Sequence, residues 1–249
     1  MRRRFFVDRF DGRRATLTGD TAHHAGRVLR VAPGQLYELS DGQTVWLARV
    51  EAAKRGAVEF SLLEPIESPS PSLATSLLLS IVKFDRFEWA LEKATELAVS
   101  EITPLAAARS EKALVSAAPK RSARWQKILS ESAQQARRLR APILHPVARP
   151  AEAFRAASSA DPQAVRLFFS EAPKAAPLRT ILEPACPGGS RRPANRALLA
   201  IGPEGGWTDE ERSIALAAGF AEVSLGFTIL RTETAVASAL AAVNYALET

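Results

Sequence analysis

The chain has 249 residues, 47% of them hydrophobic, with 33 basic against 27 acidic side chains and a net charge of +6. This length is enough to bury a core, and it fits one large domain or a medium-sized domain with a small one. A single cysteine, Cys186, excludes an intrachain disulfide, and with only three histidines we expect no metal centre. No segment resembles a signal peptide or a membrane span, so we expect a cytoplasmic protein that does not contact membranes.

The positive charge is concentrated in two segments. Residues 1–14 contain six arginines against two aspartates, an excess of +4, and residues 120–140 contain seven basic side chains against one glutamate, an excess of +6. The rest of the chain therefore sums to −4. Such a concentration is typical of a surface that binds a phosphate backbone, although solvated basic faces without a ligand are about as common.

The first 63 residues contain short strand-like runs. They read FFV, ATLT, LYELS, TVWLARVEA and AVEFSLLE, and Asp41-Gly42 between two of them predicts a tight hairpin. One short helical stretch, TAHHAGRVLRV, interrupts them before Pro33-Gly34. This pattern predicts a small β-barrel, followed by a linker in PIESPSPS at residues 65–72.

Beyond the linker, strands and helices alternate, which predicts an α/β domain with a largely parallel sheet. Nearly continuous apolar runs at 73–82, 164–170 and 196–202 are typical of strands buried on both faces, and EITPLAA is a further candidate. PACPGGSRRPAN is predicted as a loop. The predicted helices are KFDRFEWALEKATELAV, 119–139, Thr208–Ala218 and Thr232–Leu247, with a strand in AEVSL between the last two. In the 119–139 helix the predicted buried stripe is Trp125, Ile128, Leu129, Ala136 and Leu139.

One candidate ligand loop is LAIGPEGGWTDEE, which follows a buried strand at residues 199–211. Its glycines allow a ligand to approach the main chain, and ligands of parallel sheets bind outside the carboxyl ends of the strands. Thr208 and Glu211 have capping-box spacing, which argues against an anion site at that helix end. Neither the triphosphate-binding nor the dinucleotide-binding glycine motif is present. A glycine turn needed only for chain reversal is the alternative.

A second loop, LGFTILRTETA at residues 225–235, follows the next strand. Like the first, it consists of a strand end, a glycine, a loop and the start of a helix. Two such loops on consecutive strand ends would face one another across a shared crevice, and this pairing is more specific than either loop alone. Arg231 is the only positive charge in the last 37 residues. A structural ion pair between Arg231 and Glu233 is the alternative to a functional role.

Together, IGPEGGWTDEE and LGFTILRTETA closely resemble the RsmE family, the knotted SPOUT-class methyltransferases that modify N3 of a uridine in small-subunit ribosomal RNA. RRRFFV and AHHAGRVLRVAPG resemble that family's N-terminal barrel, KFDRFEWALEKATELAVSEITPL its first knotted-domain segment, and RWQKILSESAQQARRLRAP its basic helix. The resemblance implies an α/β fold class: a PUA-like barrel at 1–68, then a knotted methyltransferase domain at 73–249 with a C-terminal trefoil knot. It also implies S-adenosyl-L-methionine as cofactor, a homodimer, and ribosomal RNA or an assembled small subunit as partner.

The chemistry of the implied reaction and the placement of positive charge add further site residues to those that the resemblance implies. We hypothesise that Arg231 stabilises the deprotonated base or orients it, and that Glu233 holds the Arg231 guanidinium. Phosphates would be contacted by Arg3, Arg4, Arg27, Arg30, Lys83, Arg86, Arg137 and Arg138. The cofactor would be bound by Leu199, Gly202, Pro203, Glu204, Gly205, Gly206, Leu225, Gly226, Ile229, Leu230, Arg231 and Thr234.

The chain departs from the family pattern at a few positions. Ala98 stands where we expect glycine, Thr228 where we expect arginine, and Ala136-Arg137 where the family usually has a small residue and glycine. Because Thr228 is uncharged, any role that a positive charge has at this position in the family is in doubt for this chain. Two other functions stay open from the sequence: a knotted ribose 2′-O-methyltransferase, which shares the cofactor loops, and an RNA-binding module without catalysis.

Overall fold

The computed structural model describes residues 3–27, 29–54, 56–68, 71–161, 163–183 and 194–247. The chain forms two compact units, one of residues 1–70 with 130–141 and one of residues 71–129 with 142–249. Residues 130–141, which the sequence placed in the second domain, thus belong to the first unit. The predicted loop PACPGGSRRPAN lies outside the described residues except for Ala194 and Asn195. In the described part of the chain, no helix combines the length and the apolar character needed to cross a membrane.

The first unit contains a five-stranded sheet in the order β1-β3-β4-β5-β2 and the helix α1. All its strand pairs are antiparallel except β1 with β3, and β1 and β2 form the two edges, so the predicted barrel is a half-barrel. In β2 alternate residues are buried, as expected for a sheet with one face on a core. The elements are β1 Arg4–Phe6, β2 Arg14–Thr18, α1 Gly19–Arg27, β3 Leu36–Ser40, β4 Val45–Lys54 and β5 Ala57–Ile66.

The predicted hairpin at Asp41-Gly42 is confirmed, since it joins β3 to β4. The Asp41 carboxylate accepts hydrogen bonds from the main-chain nitrogens of Gln43 at 2.9 Å and Thr44 at 2.8 Å. Gly42 has a φ of 85°, which side-chain-bearing residues rarely adopt. The local sequence therefore sets the register of this strand pair.

The second unit contains a seven-stranded sheet in the order β10-β12-β9-β11-β6-β7-β8, and every strand pair in it is parallel. This confirms the predicted α/β architecture. Its strands are β6 Ala74–Ser80, β7 Glu101–Leu105, β8 Ile143–Leu144, β9 Val165–Phe169, β10 Ala176–Pro177, β11 Arg196–Ile201 and β12 Ala221–Ser224. Its helices are α2 Phe84–Glu96, α3 Lys112–Gln135, whose last residues belong to the first unit, α4 Pro150–Ala160, α5 Leu178–Leu182, α6 Asp209–Ala217 and α7 Thr232–Leu247.

The continuous apolar runs of the central strands arise because helices cover both faces of this sheet. In β6, Leu77 and Leu79 pack into one core with α2, α3, α5 and α7, while Leu78 packs into a second core with α4 and α6. In β11, Leu199 faces the first core and Leu198 the second. Burial on both faces removes the apolar–polar alternation that would otherwise identify a strand.

The long basic helix differs from its prediction at both ends. It begins at Lys112 rather than 119, with Pro119 inside it, and it ends at Gln135. Trp125 and Leu129 are buried as predicted and Ile128 is partly buried, whereas Ala136 and Leu139 follow the helix and do not extend the stripe.

The helix ends there because residue 137 takes a left-handed conformation. Arg137 has a φ of 55°, and the Arg138 nitrogen donates to the Ala133 carbonyl at 2.9 Å, as in a Schellman motif. Ala98, at the end of α2, has a φ of 65° and the same arrangement, with the Val99 nitrogen donating to the Ala94 carbonyl at 3.0 Å. Both residues stand where the family resemblance led us to expect glycine, so the turn persists at a cost of about 1 kcal/mol each.

Candidate active site

A cavity of about 880 Å³ lies within the second unit, at the carboxyl ends of its strands. It is bounded by the segments that follow β7, β9, β11 and β12 and by the first turn of α2 and of α7. This is the edge at which open parallel sheets bind ligands. Two segments, residues 202–207 and 224–232, contribute most of the wall, so the two predicted glycine loops do share one crevice.

Ten of the predicted cofactor residues line this cavity, and two do not. Leu199 has no exposed surface, because it lies in the middle of β11 with its side chain in the core. Thr234 is exposed on α7 outside the cavity. The residues that line it are Gly202, Pro203, Glu204, Gly205, Gly206, Leu225, Gly226, Ile229, Leu230 and Arg231.

Two glycines of the first loop pack closely against other parts of the protein. A side chain at Gly202 would place its Cβ 3.0 Å from the Trp207 ring, and one at Gly205 would place it 3.3 Å from the Arg109 Cβ. Both distances are shorter than an ordinary van der Waals contact. From the sequence we interpreted these glycines as allowing a ligand to approach the main chain. The structure shows that close packing within the protein is a second reason for a residue without a side chain at these positions.

Residues 202–208, the anchored loop, are held by contacts from several directions. Arg109 Nη1 donates to the Gly205 carbonyl at 2.9 Å, and Trp207 Nε1 donates to the Phe169 carbonyl at 2.9 Å. The predicted capping box is confirmed, with the Glu211 nitrogen donating to Thr208 Oγ1 at 3.2 Å and the Thr208 nitrogen to Glu211 Oε2 at 2.9 Å. This loop is therefore fixed before any ligand arrives.

Residues 225–231, the open loop, have far fewer contacts. The Gly226 nitrogen donates to Ser224 Oγ at 3.2 Å, and the same hydroxyl donates to the Gly226 carbonyl at 2.9 Å. Beyond this anchor the side chains of Phe227, Thr228 and Ile229 are exposed, although all three line the cavity. These three side chains of the open loop are therefore accessible to a ligand that enters the cavity.

The charged side chains at the cavity are paired differently from what the sequence suggested. Arg86 forms an ion pair with Glu204, and its Nε lies 4.0 Å from Glu233 Oε1. Within the described residues, the exposed Arg231 side chain has no ion pair or hydrogen bond, and Glu233 Oε2 is buried without a hydrogen-bond partner. The expected contact between Arg231 and Glu233 is therefore wrong, because Arg86 reaches Glu233 from α2 instead.

A second ion pair neutralises another arginine of the cavity wall. Arg212 donates to both oxygens of Glu222, at 2.8 Å from Nε and 2.6 Å from Nη2. These hydrogen bonds raise the pKa of Arg212 and lower the pKa of Glu222. The cavity arginines that remain without a carboxylate partner among the described residues are Arg109 and Arg231.

Two of the predicted phosphate contacts are occupied inside the first unit. Arg4 is 3% exposed and donates to the buried Glu38 carboxylate from Nε at 3.1 Å and from Nη2 at 3.0 Å. Arg137 donates to the same carboxylate and also offers its carbonyl to Arg4 at 2.6 Å. Burial, followed by the nearby charge of Arg137, lowers the pKa of Arg4. Arg4 is therefore a structural residue whose guanidinium is buried in an ion pair and not available to the RNA phosphates for which it was predicted.

The remaining six predicted phosphate contacts differ in how accessible they are. Arg27, Arg30 and Lys83 are exposed and available to a ligand. Arg3 is partly buried, 6.0 Å from the Phe5 ring centroid, and Arg86 is committed to the cavity ion pairs. Burial, followed by the charge of Arg140, lowers the pKa of Arg138 to about 10, so it keeps its charge at neutral pH.

The sequence reading missed part of the cavity wall. Arg109 follows β7, Phe169 is the last residue of β9 and Ser170 follows it, and Trp207 lies near the end of the anchored loop. The signal was available in principle, because the rule that ligands bind outside strand carboxyl ends applies to β7 and β9 as well. Without the strand order, however, nothing places those two ends beside the glycine loops.

Comparisons with known proteins agree with this architecture. A family model described as an RNA methyltransferase domain matches residues 68–244, and one described as an RNA methyltransferase PUA domain matches residues 17–63. Both bear out the α/β fold class with a PUA-like unit ahead of it. The curated proteins named ribosomal RNA small subunit methyltransferase E include one from Synechocystis, 35% identical over 94% of this chain and 73% of its own length. Another, from Mycobacterium bovis, is 33% identical over 96% of this chain and 90% of its own length.

A solved structure is similar over the full length. The ribosomal RNA small subunit methyltransferase E from Neisseria gonorrhoeae, crystallised bound to S-adenosyl methionine, is 30% identical and superimposes with a TM-score of 0.83. The match covers 100% of this chain and 99% of that one.

Proposed function

This chain belongs to the family of the ribosomal RNA small subunit methyltransferases E, and from that premise we propose that it methylates N3 of a uridine in small-subunit ribosomal RNA with S-adenosylmethionine as donor. The observation that carries the proposal is the cavity that the two glycine loops share, which lies inside the segment that matches the RNA methyltransferase domain. The Neisseria relative binds S-adenosyl methionine.

The residues of the cavity fit such a cofactor. Its volume of about 880 Å³ falls in the range of small-molecule sites, about 300–1,000 Å³. The anchored loop brings its main chain to the cavity wall at Gly202, Gly205 and Gly206, where no side chain separates the backbone from a ligand. Leu225 and Leu230 supply apolar surface for its faces. When bound, the cofactor would supply a methyl group on a sulfonium, whose in-line transfer to a nucleophile breaks the sulfur–methyl bond and releases the neutral thioether.

Arg231 is the residue that we propose to act on the base. Uridine N3 becomes a nucleophile when it loses its proton, and the negative charge then spreads over O2 and O4. A guanidinium without a carboxylate partner can stabilise that charge, because no competing ion pair has to be broken first. The exposed position of Arg231 on the cavity wall supports this role. Methyl transfer then depends on holding N3 in line with the donor.

Glu233 has a different role from the one that the sequence suggested. It lies beside Arg86, which also pairs with Glu204 of the anchored loop. We propose that this trio connects α2, the anchored loop and the first turn of α7, and that it positions the walls of the cavity. Glu233 thereby acts on the cavity through Arg86.

For RNA capture we propose that Arg27, Arg30 and Lys83 contact phosphates, because their side chains are exposed. Each neutralised phosphate contributes about −0.7 to −0.9 to the slope of log affinity against log salt. Titrations from low to high salt should therefore weaken RNA binding steeply in the wild type. The triple change to alanine should flatten that slope, and an unchanged slope would exclude these residues from the contact surface.

Three further properties follow from family membership alone and stand as proposals: domain boundaries at 1–68 and 73–249, a C-terminal trefoil knot, and a homodimer. Sedimentation equilibrium of the full chain measures the last directly. A monomer at micromolar concentration would contradict it.

The test of the proposed function is mass spectrometry of nucleosides from small-subunit ribosomal RNA, compared between cells with and without this gene. We expect N3-methyluridine to disappear from one position and to return when purified protein and S-adenosylmethionine are added to small subunits or to their RNA. Loss of a ribose-methylated nucleoside instead would identify a 2′-O-methyltransferase. An unchanged nucleoside profile, together with no heat of S-adenosylmethionine binding by calorimetry, would indicate an RNA-binding module without catalysis.

A further inference from the structure

The open loop carries an aromatic ring that no part of the described chain covers. Phe227 is 102% exposed, more than any other large hydrophobic residue described, and its neighbour Ile229 is 80% exposed. Both line the cavity, so the apolar surface lies at the mouth of the proposed active site and not at a remote position. Single exposed apolar residues are common on protein surfaces. These two lie together on the rim of one cavity, where an entering ligand would meet them.

The loop backbone holds Phe227 in this position. Gly226 has a φ of 145°, a conformation that side-chain-bearing residues rarely adopt, and its amide and carbonyl are both bonded to the Ser224 hydroxyl. The residue before Phe227 is thus anchored at both of its polar groups. The hydrogen-bonded turn at Ser224–Gly226 therefore places the Phe227 ring in its exposed position.

The charges around the ring indicate what it contacts. The seven residues from Leu225 to Arg231 contain no acidic side chain. Arg231, four positions after Phe227, and Arg109 on the opposite wall have no carboxylate partner among the described residues. An apolar protein surface seated here would leave both guanidinium groups unpaired. A nucleotide offers a flat base for the ring together with carbonyl oxygens and phosphates for the arginines.

We propose that Phe227 binds the substrate by stacking on the uracil that enters the cavity, with Arg231 facing the polar edge of the same base. This inference rests on the proposed function and names a further residue of its RNA site. The neighbouring Thr228 stands where the family resemblance led us to expect arginine, so the rim of this chain contacts RNA through an aromatic face in place of a charge. A base turned out of its stack needs such a surface to replace the stacking that it has lost.

The test compares variants of Phe227 in methylation assays with the RNA that the wild type methylates, either small subunits or their naked ribosomal RNA. We expect Phe227→Ala to lower kcat/KM for RNA by roughly 5- to 100-fold, the range that alanine substitution of a stacking aromatic produces. Phe227→Trp should stay within about twofold of wild type, because indole stacks at least as well. Phe227→Leu should resemble the alanine variant, since it is apolar but cannot stack.

Tyr245→Ala is the matched control, because it removes another aromatic side chain, 93% exposed and outside the cavity wall, and we expect less than about threefold loss in kcat/KM. S-adenosylmethionine binding by calorimetry should be the same in all variants. The inference is overturned if Phe227→Ala is as active as wild type, if Phe227→Leu restores full activity, or if Phe227→Ala weakens cofactor binding as much as turnover. A change of sedimentation coefficient in Phe227→Ala would instead identify a contact between two copies of the chain.

A fluorescence measurement separates this inference from the proposed function. A wild type that methylates no RNA contradicts the proposed function only. Tryptophan emission of Phe227→Trp, corrected for that of wild type, should still be quenched when small-subunit RNA is added if the position stacks on a base. An unquenched signal at saturating RNA would overturn the inference whatever the methylation assay shows.

Discussion

The two loops that enclose the cavity are built in opposite ways. The anchored loop is fixed by Arg109, by the Trp207 indole and by the Thr208 capping box, and its glycines pack against protein atoms. In the open loop the hydrogen bonds to Ser224 hold Gly226, and the side chains of Phe227, Thr228, Ile229 and Arg231 are exposed, while Leu225 and Leu230 are partly buried. Both follow parallel strands and both contain glycine, so their sequences look alike. What differs is the number of contacts that each receives from distant parts of the unit.

This difference suggests a division of labour at the site. A wall that must present main-chain groups to a cofactor gains from being fixed in advance, because no ordering entropy is lost on binding. A wall that must receive a base from RNA needs unpaired groups, such as Arg231 and Phe227, whose contacts form only with substrate. Substitutions in the open loop should therefore change turnover of RNA, while substitutions at the anchors should change stability or cofactor affinity.

The largest effect is expected for Arg231→Ala. It removes the unpaired guanidinium of the open loop, and loss of one such stabilising donor typically lowers kcat by about 10²- to 10³-fold. Binding of S-adenosylmethionine, measured by calorimetry, should change by less than about threefold. Arg231→Lys is the control, because it keeps the charge without the planar fork and should retain intermediate activity. Turnover of Arg231→Ala within about twofold of wild type would remove Arg231 from the proposed mechanism.

The next largest effect is expected for Glu211→Ala, which removes the main anchor of the first loop. Glu211 is 7% exposed and accepts hydrogen bonds from the Thr208 nitrogen at 2.9 Å and the Ala108 nitrogen at 2.8 Å. Leaving two main-chain donors unpaired should lower the free energy of unfolding by about 2–3 kcal/mol in urea denaturation. Glu210→Ala changes an exposed glutamate in the same helical turn and should cost less than about 0.5 kcal/mol. Equal costs would show that Glu211 is not an anchor.

The contacts of Glu211 show which interactions could be predicted from the sequence and which could not. The spacing of Thr208 and Glu211 predicted the capping box, because that interaction spans three residues and depends only on helix geometry. The second oxygen of Glu211 bonds to Ala108, 103 positions away in the chain, and no local pattern contains that contact. In the same way, the apolar runs predicted the parallel strands, while the order of those strands, which brings Arg109 to the cavity, came only from the structure.

Charge patterns were less informative than spacing. The arginine-rich N-terminal segment predicted a phosphate-binding surface, yet Arg4 is buried against Glu38, which lies 34 positions away. A sequence gives the number of charges in a segment, whereas their availability depends on burial and on partners from other segments. Leu199 was misplaced for a related reason, because it precedes the end of β11 by two residues and points into the core.

A smaller effect is expected for Arg86→Gln, which breaks the pairs with Glu204 and Glu233. These side chains are partly exposed, so the pairs contribute at most about 1 kcal/mol, and the dissociation constant for S-adenosylmethionine should rise by up to about fivefold. The control is Lys93→Gln, which breaks two ion pairs elsewhere on the same helix. It should leave the dissociation constant for S-adenosylmethionine unchanged. Unchanged cofactor affinity with weaker RNA binding in Arg86→Gln would return Arg86 to the RNA contacts that the sequence predicted.

The smallest effect is expected for Thr228→Arg, which restores the residue that the family resemblance led us to expect. Thr228 is exposed on the open loop, and the residues from Leu225 to Arg231 hold no carboxylate that could neutralise the new charge. One added phosphate contact should strengthen RNA binding by about two- to threefold at low salt and make the salt slope steeper by about one. Thr234→Arg adds the same charge outside the cavity wall. If both variants gained equally, the effect would be general attraction to RNA; a gain in Thr228→Arg alone would place the RNA at the open loop, where unpaired groups are held ready for it.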